Sequence, residues 1–314
     1  MKISGKSMTD KNVALGIDIG GTKICYGIVD NKGKVLSEVK KIPTPKTASE
    51  IFQVLKNLCA ENYSLIDAVG ISSAGAINIE NTRVISSTPN LPMGYNDIDF
   101  STLSEKKVYI ENDANCAAVA EYKIGVGKGF NTVLMITIGT GIGGGLVSNG
   151  MLFRGANGNA LEVGSMKIFA DKRQKCTCGR YDCWESYASG TGLKNCAVIG
   201  AKEYEEFKTS IYKDKLSDEL TTYDIIDGIK LQDAFSLKVF EQWQYYMLVG
   251  LVSLTDIFNP DCIVISGGMC KFIDIKKLER EINEESVVAN TVVKVAATEN
   301  NAGMIGAALL ALES

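Results

Sequence analysis

The chain contains the sequence 14-ALGIDIGGTKICYGIVDNKG-33, in which two apolar and largely β-branched runs flank a glycine turn. This pattern predicts a strand, a tight turn and a second strand. The paired glycines, Gly20 and Gly21, let the turn adopt positive φ and carry no Cβ atoms, so a phosphate group can approach the backbone N–H groups. The segment is therefore a candidate for binding a polyanion with its backbone.

Polar side chains around this turn add to that interpretation. Thr22 and Lys23 offer a hydroxyl group and a cation, and Asp18 stands at the end of the first strand, where it could hold a metal ion through water. The alternative for this stretch alone is an ordinary hairpin with a buried aspartate, because Gly-Gly turns are common in hairpins.

A second stretch repeats the pattern. The sequence 133-VLMITIGTGIGGGLVSNG-150 again combines an apolar strand, a glycine-rich turn, an apolar strand and a polar hairpin turn. Two such units predict two similar halves that face each other across a cleft, with the phosphates of a nucleotide between the two turns.

The second turn, 139-GTGIGG-144, also matches the dinucleotide fingerprint G-x-G-x-x-G. We reject that interpretation because the fingerprint needs a helix directly afterwards, whereas the following residues have the pattern of a strand and a hairpin turn. The sequence has no Walker motif G-x-x-x-x-G-K-[ST] either. If the chain binds ATP, hairpin turns rather than a P-loop must hold the phosphates.

Composition limits the classes of protein. A chain of 314 residues with 46% hydrophobic content predicts two domains with substantial cores. The net charge of −4 and the lack of a basic run give no electrostatic reason to expect nucleic acid as a partner. Residues 1–12 hold no apolar signal region, and no apolar run approaches the roughly 20 residues of a membrane span. We expect a cytoplasmic protein without a membrane partner.

Composition also limits the chemistry. Nine cysteines without a secretion signal indicate reduced thiols or metal ligands rather than a disulfide framework. The sequence has no histidine at all. The roles of general base and metal ligand must therefore fall to carboxylates, thiols, lysines or hydroxyl groups.

The segment 111-ENDANCAAVAEYKIG-125 follows an apolar strand at 107–110 and continues as an alanine-rich helix. Its polar residues come at the carboxyl end of the strand, where open α/β sheets bind ligands. There Asp113 can accept the proton of an attacking hydroxyl group while Asn112 holds the substrate. The alternative is that Asp113 only caps the helix.

Three cysteines, Cys176, Cys178 and Cys183, lie close together in 176-CTCGRYDCWES-186, which we call the cysteine knuckle. As thiolates they could ligate Zn²⁺, although a structural tetrahedral site needs a fourth ligand and the usual histidine does not exist here. Free surface thiols are the alternative.

Weaker indications of ligand binding occur elsewhere. Small residues around Gly75 would let a ligand approach the backbone, although a packing turn explains them equally well. Asn90, in a proline-containing loop at 87–96, could bond a polyol. Gly267 and Gly268 follow an apolar strand and could pass beside an adenosine.

Helical patterns supply the remaining core. The segment 47–63 begins with Thr-x-x-Glu, a capping box, and continues with apolar residues at helical spacing. The segment 234–258 predicts a long apolar helix stopped by Asn259-Pro260. The segment 302–312 predicts a last helix that returns to cover the first domain.

Seven short motifs occur along the chain: DIGGTK at 18–23, TPNLP at 88–92, END at 111–113, TIGTGIGGG at 137–145, E-x-G at 162–164, C-x-C-G-x3-C-x-E at 176–185 and SGG at 266–268. Through them the chain resembles, over nearly its whole length, the ROK family of sugar kinases and repressors, within the actin, hexokinase and heat-shock ATPase superfamily. The resemblance implies an α/β protein with two similar actin/hexokinase-like (ribonuclease H-like) domains and a cleft between them. We place these domains at 1–118 plus 300–314 and at 119–299.

The resemblance also implies roles for single residues. Asp113 would be the general base. The phosphates of Mg-ATP would be handled by Asp18, Gly20, Gly21, Thr22, Lys23, Gly139, Thr140 and Gly141, and the adenosine lined by Gly267 and Gly268. Sugar contacts would come from Asn90, Asn112, Glu162 and Glu185.

Two positions depart from the family pattern. The histidine that contacts zinc and sugar after E-x-G is Ser165 here, and the glycine usual before the third knuckle cysteine is Asp182. A serine hydroxyl is a poor zinc ligand at neutral pH and is too short to replace an imidazole. Zinc binding and sugar choice are the properties affected.

We predict a kinase that uses ATP and Mg²⁺ to phosphorylate the 6-hydroxyl group of a hexose, with glucose favoured and N-acetylmannosamine or fructose as alternatives. We expect a homodimer whose partner is a small sugar. A sugar-responsive transcriptional regulator would need a DNA-binding domain ahead of the first strand, where about a dozen residues stand. A non-catalytic sugar-binding relic is disfavoured by Asp113 and both glycine turns.

Overall fold

The computed structural model describes residues 12–86, 90–287, 290–298 and 301–314. The chain divides into two compact units: unit 1 comprises Met1–Val133, Gly145–Ala160 and Ala296–Ser314, and unit 2 comprises Leu134–Gly144 and Leu161–Val295. The boundary expected at 118 falls inside a helix that groups as a whole with unit 1. The first two residues of the TPNLP motif, and residue 300, lie outside the described residues.

The described residues form both strands and helices. The strands are β1 (Val13–Ile19), β2 (Lys23–Asp30), β3 (Lys40–Pro43), β4 (Ala68–Ser73), β5 (Ala76–Ile77), β6 (Val84–Ser86), β7 (Lys107–Asn112), β8 (Thr132–Ile138), β9 (Ile142–Ser148), β10 (Met151–Leu152), β11 (Cys262–Ser266) and β12 (Val292–Val295). The helices are α1 (Ala48–Asn62), α2 (Asp113–Lys123), α3 (Glu185–Ala188), α4 (Gly190–Glu203), α5 (Thr222–Lys230), α6 (Ala234–Phe258), α7 (Ile275–Glu285) and α8 (Ala302–Glu313).

Two five-stranded sheets repeat one order of strands. The first sheet runs β3-β2-β1-β4-β7 and the second runs β10-β9-β8-β11-β12, so each has a hairpin on one side and later strands on the other. In the first sheet β1, β2 and β3 pair antiparallel, whereas β1, β4 and β7 run parallel. This repeated order confirms the predicted α/β, ribonuclease H-like fold class.

The first hairpin forms where the apolar pattern predicts it. β1 pairs with β2 from Val13 opposite Asp30 to Ile19 opposite Ile24, and the Gly20 N–H donates to the Lys23 carbonyl oxygen over 3.0 Å. The connection between the strands is therefore limited to the glycine turn itself. Gly21, Thr22 and Lys23 are exposed, whereas the strand residues beside the turn are mostly buried.

Helix α1 closes one face of the first sheet. It begins with the predicted capping box, in which the Thr47 side chain accepts from the Glu50 N–H and the Glu50 carboxylate accepts from the Thr47 N–H. Its buried residues, among them Ile51 and Leu55, join the apolar core of this face with residues of β1 and β4. The cap fixes where the helix starts, and the apolar stripe fixes which side faces the sheet.

Helix α8 packs so closely on the sheet of unit 1 that the backbone of the helix contacts the backbone of the strands. A Cβ atom on Gly16 of β1 or Gly70 of β4 would collide with backbone atoms of Met304 or Ala307, and one on Gly306 would collide with the Cys116 carbonyl group of α2. Glycine is therefore required at the contacts of α8 with two strands and a helix. The C-terminal helix covers the first domain, as the sequence predicts.

Unit 2 is organised around α6, which spans the 234–258 segment predicted as one long helix. Trp243 is fully buried and donates from Nε1 to the Ser189 carbonyl oxygen over 2.9 Å. Trp184, also fully buried, donates from Nε1 to the Tyr246 carbonyl oxygen over 2.8 Å and packs where a Cβ on Gly250 would lie. Among the described residues no helix is both long and apolar enough to cross a bilayer.

We predict that Gly306→Ala destabilises unit 1 by about 2–3 kcal/mol, because the added methyl group overlaps backbone atoms that cannot rotate away. The sign of the stability change is informative, because helix propensity by itself would make alanine more stable than glycine by about 1 kcal/mol. Denaturant unfolding followed by circular dichroism measures the change. Glu313→Ala is the control, because the Lys123–Glu313 ion pair is partly exposed and should contribute less than about 1 kcal/mol. Equal stability of the two variants would contradict this packing argument.

Candidate active site

The turn between β1 and β2 lies beside Asn90. A Cβ atom on Gly21 would come within 2.9 Å of the Asn90 Cβ atom and 3.0 Å of its carbonyl oxygen. Gly21, Thr22, Lys23 and Asn90 are all exposed. Unit 1 thus brings the proposed phosphate turn next to one proposed sugar ligand.

Asp18 is held at the end of β1 by groups from two other elements. The Ser72 hydroxyl group of β4 donates to Asp18 Oδ1 over 2.6 Å. An ideal Cβ atom on Gly303 would lie 2.5 Å from the same oxygen, so the first turn of α8 lies against the carboxylate. Burial raises the pKa of Asp18, whereas the Ser72 hydrogen bond and the charge of Lys23 act to lower it.

The donor chemistry around Asp18 fits Mg²⁺. A carboxylate has about four lone-pair sites, so one bond from Ser72 leaves capacity to accept from the water shell of a metal ion. Mg²⁺ keeps several waters and is usually held by one or two carboxylates together with substrate phosphates. The Asp18 carboxylate beside the glycine turn has the chemistry that such a site needs.

Asn112 and Asp113, where β7 ends and α2 begins, make different contacts. Asn112 is the N-cap of α2, where its Oδ1 accepts from the N–H groups of Ala114 and Asn115 and its Nδ2 donates to the Gly75 carbonyl oxygen over 3.1 Å. Asp113 is the first residue of the helix and is exposed, and its Oδ1 atom accepts from the Ala114 N–H over 2.9 Å. The hypothesis that Asp113 is the helix cap is therefore wrong, because Asn112 performs that role.

Gly75 adopts φ +109, and a Cβ atom there would collide with the Ser86 carbonyl oxygen. Conformation and packing thus explain the glycine by themselves. Its carbonyl oxygen nevertheless fixes the amide of Asn112, so Gly75 supports one proposed sugar ligand.

Glu111, directly before Asn112, is fully buried and accepts from several donors. The Arg154 Nε atom lies 2.9 Å from Glu111 Oε2, the Asn112 N–H donates to Oε1 over 2.9 Å, and the Asn115 amide donates to Oε1 over 3.1 Å. The Asn81 amide adds a bond of 3.2 Å to Oε2. A carboxylate satisfied by charged and neutral donors fixes the backbone from which Asn112 and Asp113 project.

The glycine turn of unit 2 forms one backbone surface with two other segments. The Gly139 carbonyl oxygen accepts from the Gly190 N–H over 2.8 Å, which ties the turn to the start of α4. The Met269 N–H donates to the Ile138 carbonyl oxygen over 3.1 Å, which ties β8 to the turn after β11. The glycine turn, the start of α4 and the turn after β11 therefore lie together within unit 2.

Two glycines of this surface have no packing explanation. An ideal Cβ atom on Gly139 or Gly268 would meet no atom within 4 Å, and neither residue has a positive φ. By contrast, Gly267 has φ +93 and its Cβ atom would collide with the backbone of Ile138. Close approach of a ligand to the backbone is a physical reason for glycine where the fold itself supplies none.

Glu162 and Glu185 lie near each other in unit 2. Glu185 begins α3, its Oε2 accepts from the Ile142 N–H over 3.3 Å, and a Cβ atom on Gly141 would lie 2.6 Å from that oxygen. Burial and then the charge of Glu185 raise the pKa of Glu162, whereas Arg180 acts to lower it. Two proposed sugar ligands thus border the second glycine turn.

The cysteine knuckle brings three thiols together. The ligand atoms of Cys176, Cys178 and Cys183 lie within 4.8 Å of one another, and Cys176 Sγ lies 3.2 Å from Glu185 Oε1. Burial acts to raise the pKa of Cys178, but hydrogen bonds, first from Arg180, lower it to about 7. Three neighbouring thiols fit three positions of a zinc site, since thiolates are preferred zinc ligands.

Sequence reasoning missed several residues that build these sites. Ser72 and Gly303 position Asp18, and Glu111 and Arg154 support the Asn112–Asp113 pair. Glu111 belongs to the END motif, which was the available indication. Arg154 lies outside every motif that the sequence analysis identified, and its partner is 43 residues away in the sequence.

Duplicated ribonuclease H-like sheets, with a glycine turn after the first strand of each hairpin and an aspartate at the end of a parallel strand, define the actin- and hexokinase-like class. The family model described as "ROK family" matches residues 14–314. The chain belongs to the ROK family.

Three known proteins illustrate the likeness. The glucokinase of Streptomyces coelicolor is 34% identical over 96% of this chain and 98% of its own. The glucokinase of Halalkalibacterium halodurans is 32% identical over 93% of this chain and 92% of its own. A ROK family glucokinase from Streptomyces griseus, solved in complex with glucose and AMPPNP, superposes with a TM-score of 0.74 at 30% identity and covers 96% of this chain and 100% of its own.

We predict that Glu111→Gln destabilises the protein by about 3 kcal/mol, because the amide leaves the largely buried Arg154 cation without its counter-charge. Thermal or denaturant unfolding measures the loss. Glu205→Gln is the matched control, since it makes the same change in the exposed Lys208–Glu205 pair and should cost less than about 1 kcal/mol. If the two variants lose equal stability, the Glu111 network does not hold the strand end as argued.

Proposed function

We propose that the protein is an ATP-dependent hexose kinase that transfers the γ-phosphoryl group to the 6-hydroxyl group of a sugar, with glucose favoured. The glucokinases that match nearly the whole chain support this activity. The observation that carries it is the end of β7, where Asn112 takes over the cap and Asp113 presents an exposed carboxylate at the start of α2.

Asp113 acts as general base in the proposed reaction. Its carboxylate accepts the proton of the sugar hydroxyl group while that oxygen forms a bond to the γ-phosphorus atom. The bond between the γ-phosphorus atom and the oxygen bridging to the β-phosphate breaks, and ADP leaves. Most of the rate enhancement then comes from positioning and charge stabilisation.

The remaining residues bind and orient the two substrates. In unit 1, Gly20 to Lys23 contact phosphate, and Asn90 and Asn112 contact the sugar with Gly75 supporting Asn112. In unit 2, Gly139, Thr140, Gly141, Gly267 and Gly268 contact the nucleotide, and Glu162 and Glu185 contact the sugar. The glycines at 139 and 268 support this assignment, because an added Cβ atom there would meet no protein atom within 4 Å.

Asp18 would hold Mg²⁺ through its water shell. When bound, the ion neutralises charge on the phosphates. Ser72 and the first turn of α8 keep the Asp18 carboxylate in one orientation for that role.

We predict that Asp113→Asn keeps the fold and most of the sugar affinity but lowers kcat by roughly a hundredfold or more, because a positioned base is lost. Coupled detection of ADP measures kcat, and unfolding curves check the fold. Glu105→Gln removes an exposed carboxylate elsewhere in unit 1 and should leave kcat unchanged. Wild-type turnover in a folded Asp113→Asn variant would refute the base assignment.

The identity of the sugar is best tested by measuring ADP release across hexoses and N-acetylhexosamines. We expect the highest kcat/KM for glucose, with N-acetylmannosamine and fructose as the alternatives. A chain that binds a sugar and releases no ADP with any of them would instead support a sugar-responsive regulator. Cytoplasmic location and a homodimeric state remain predictions.

Zinc at the cysteine knuckle is a separate proposal. The three thiolates would hold the ion, but Ser165 supplies no imidazole, so the fourth position would be open to water. We expect zinc to be retained less firmly than in a closed site and activity to survive its removal in large part. Zinc content per chain, measured with kinase activity before and after chelation, decides the point. A full equivalent that resists the chelator, with activity lost on its final removal, would contradict this proposal.

A further inference from the structure

Asp182 stands in the cysteine knuckle with an unusual combination of conformation and burial. It adopts φ +61, in the left-handed region that favours glycine, and only 1% of its surface is exposed. Such a conformation persists in a non-glycine residue when the surrounding contacts compensate for it. The side chain therefore has to be explained by what it binds.

The Asp182 carboxylate ties together two parts of the knuckle region. Oδ2 accepts from the Lys172 N–H over 2.7 Å, and Oδ1 accepts from the Gln174 N–H over 2.9 Å. Oδ1 also accepts from the Tyr187 hydroxyl group over 2.8 Å. Two backbone donors of the preceding loop and one side chain of α3 thus converge on one buried carboxylate.

The backbone of Asp182 extends the same cross-link. Its N–H donates to the Gln174 carbonyl oxygen over 2.8 Å, and its carbonyl oxygen accepts from the Ile168 N–H over 3.1 Å. Two residues onward, the Trp184 N–H donates to the Met166 carbonyl oxygen over 2.7 Å. The segment 166–174, before the first cysteine, and the residues on either side of Cys183 are therefore joined by hydrogen bonds that involve none of the three thiols.

This cross-link ends next to Glu185. Tyr187 follows Glu185 by two residues on the four-residue helix α3, and its ring is buried against Phe169 and Tyr246. A helix this short has little stability of its own. The orientation of this helix depends on the contacts of Trp184 and Tyr187, and it sets the position from which the Glu185 carboxylate reaches the Ile142 N–H and the Cys176 Sγ atom.

We propose that Asp182 is a positioning residue that holds the knuckle, and through Tyr187 the Glu185 carboxylate, independently of a bound metal ion. The inference rests on the proposed function only in assigning Glu185 to the sugar. A bound ion would fasten the three cysteines to one another, whereas Asp182 fastens the loop at 172–174 to α3. The two devices act on different segments, so loss of the first leaves the second intact.

Asp182→Gly tests whether Asp182 merely occupies a left-handed position or holds the knuckle with its carboxylate. The two explanations predict different directions of change in the melting temperature. If Asp182 merely occupies a left-handed position, glycine relieves the strain and the melting temperature stays equal or rises. If its carboxylate holds the knuckle, glycine removes three acceptor bonds. We then expect a lower melting temperature, a larger further drop with EDTA than the wild type shows, and faster exchange of the Lys172 and Gln174 amides.

The kinetic arm separates positioning from general stability. We expect Asp182→Gly to raise the sugar KM at least fivefold, with kcat changed less than twofold and the ATP KM unchanged. Asp171→Asn is the control, because it removes an exposed carboxylate from the same loop and should change none of these values. Wild-type sugar KM, EDTA response and amide exchange in Asp182→Gly would overturn the proposal.

Two milder variants decide the matter if Asp182→Gly does not fold. Asp182→Asn tolerates the left-handed conformation and keeps one acceptor oxygen, and Tyr187→Phe removes only the hydroxyl donor. Both should raise the sugar KM by a smaller factor in the same direction, and wild-type values in both would overturn the proposal. If the wild type phosphorylates no hexose, the proposed function fails, whereas the melting temperatures with EDTA and the amide exchange still judge Asp182.

Discussion

The close approach of α8 to the sheet of unit 1 is the contact on which the rest of that unit depends. It requires glycine at Gly16, Gly70 and Gly306, because each faces backbone atoms where a Cβ atom would lie. Once the helix is seated, its first turn meets the Asp18 carboxylate at Gly303. Packing of the last helix thus sets the environment of a group near the start of the chain, where phosphate and metal are proposed to bind.

The carboxylates of two buried glutamates, Glu111 and Glu121, hold neighbouring segments in place by accepting several hydrogen bonds each. Glu111 collects donors around the Asn112–Asp113 pair, as described above. Glu121, also fully buried, accepts from the Val126 N–H over 2.9 Å and from the Ala297 and Thr298 N–H groups over 2.8 and 2.7 Å. This chain has no histidine, and its buried carboxylates hold parts of the fold together by accepting hydrogen bonds from backbone and cationic donors. Asp182 follows the same principle within unit 2.

Local patterns predicted the elements well because their causes are local. The capping box at Thr47 and Glu50, the apolar helix at 234–258 and the hairpins around both glycine turns lie where the sequence placed them. The order of the strands in the two sheets was not predicted, because periodicity carries no information on which strands pair. The alternative that Asp113 caps α2 was wrong, since both Asn112 and Asp113 have suitable side chains and only the backbone geometry distinguishes them.

By itself the sequence determined the two glycine turns, the Asn112–Asp113 pair and the cysteine cluster, because each consists of adjacent residues with a characteristic spacing. The α/β class followed from the family resemblance that such motifs carry. Only the tertiary structure decided which carboxylates are buried and what they bind. Ser72 reaches Asp18 across 54 positions, Arg154 reaches Glu111 across 43, and Thr298 reaches Glu121 across 177. A buried glutamate has the same letter as an exposed one, and its partners are chosen by how the strands and helices fold together.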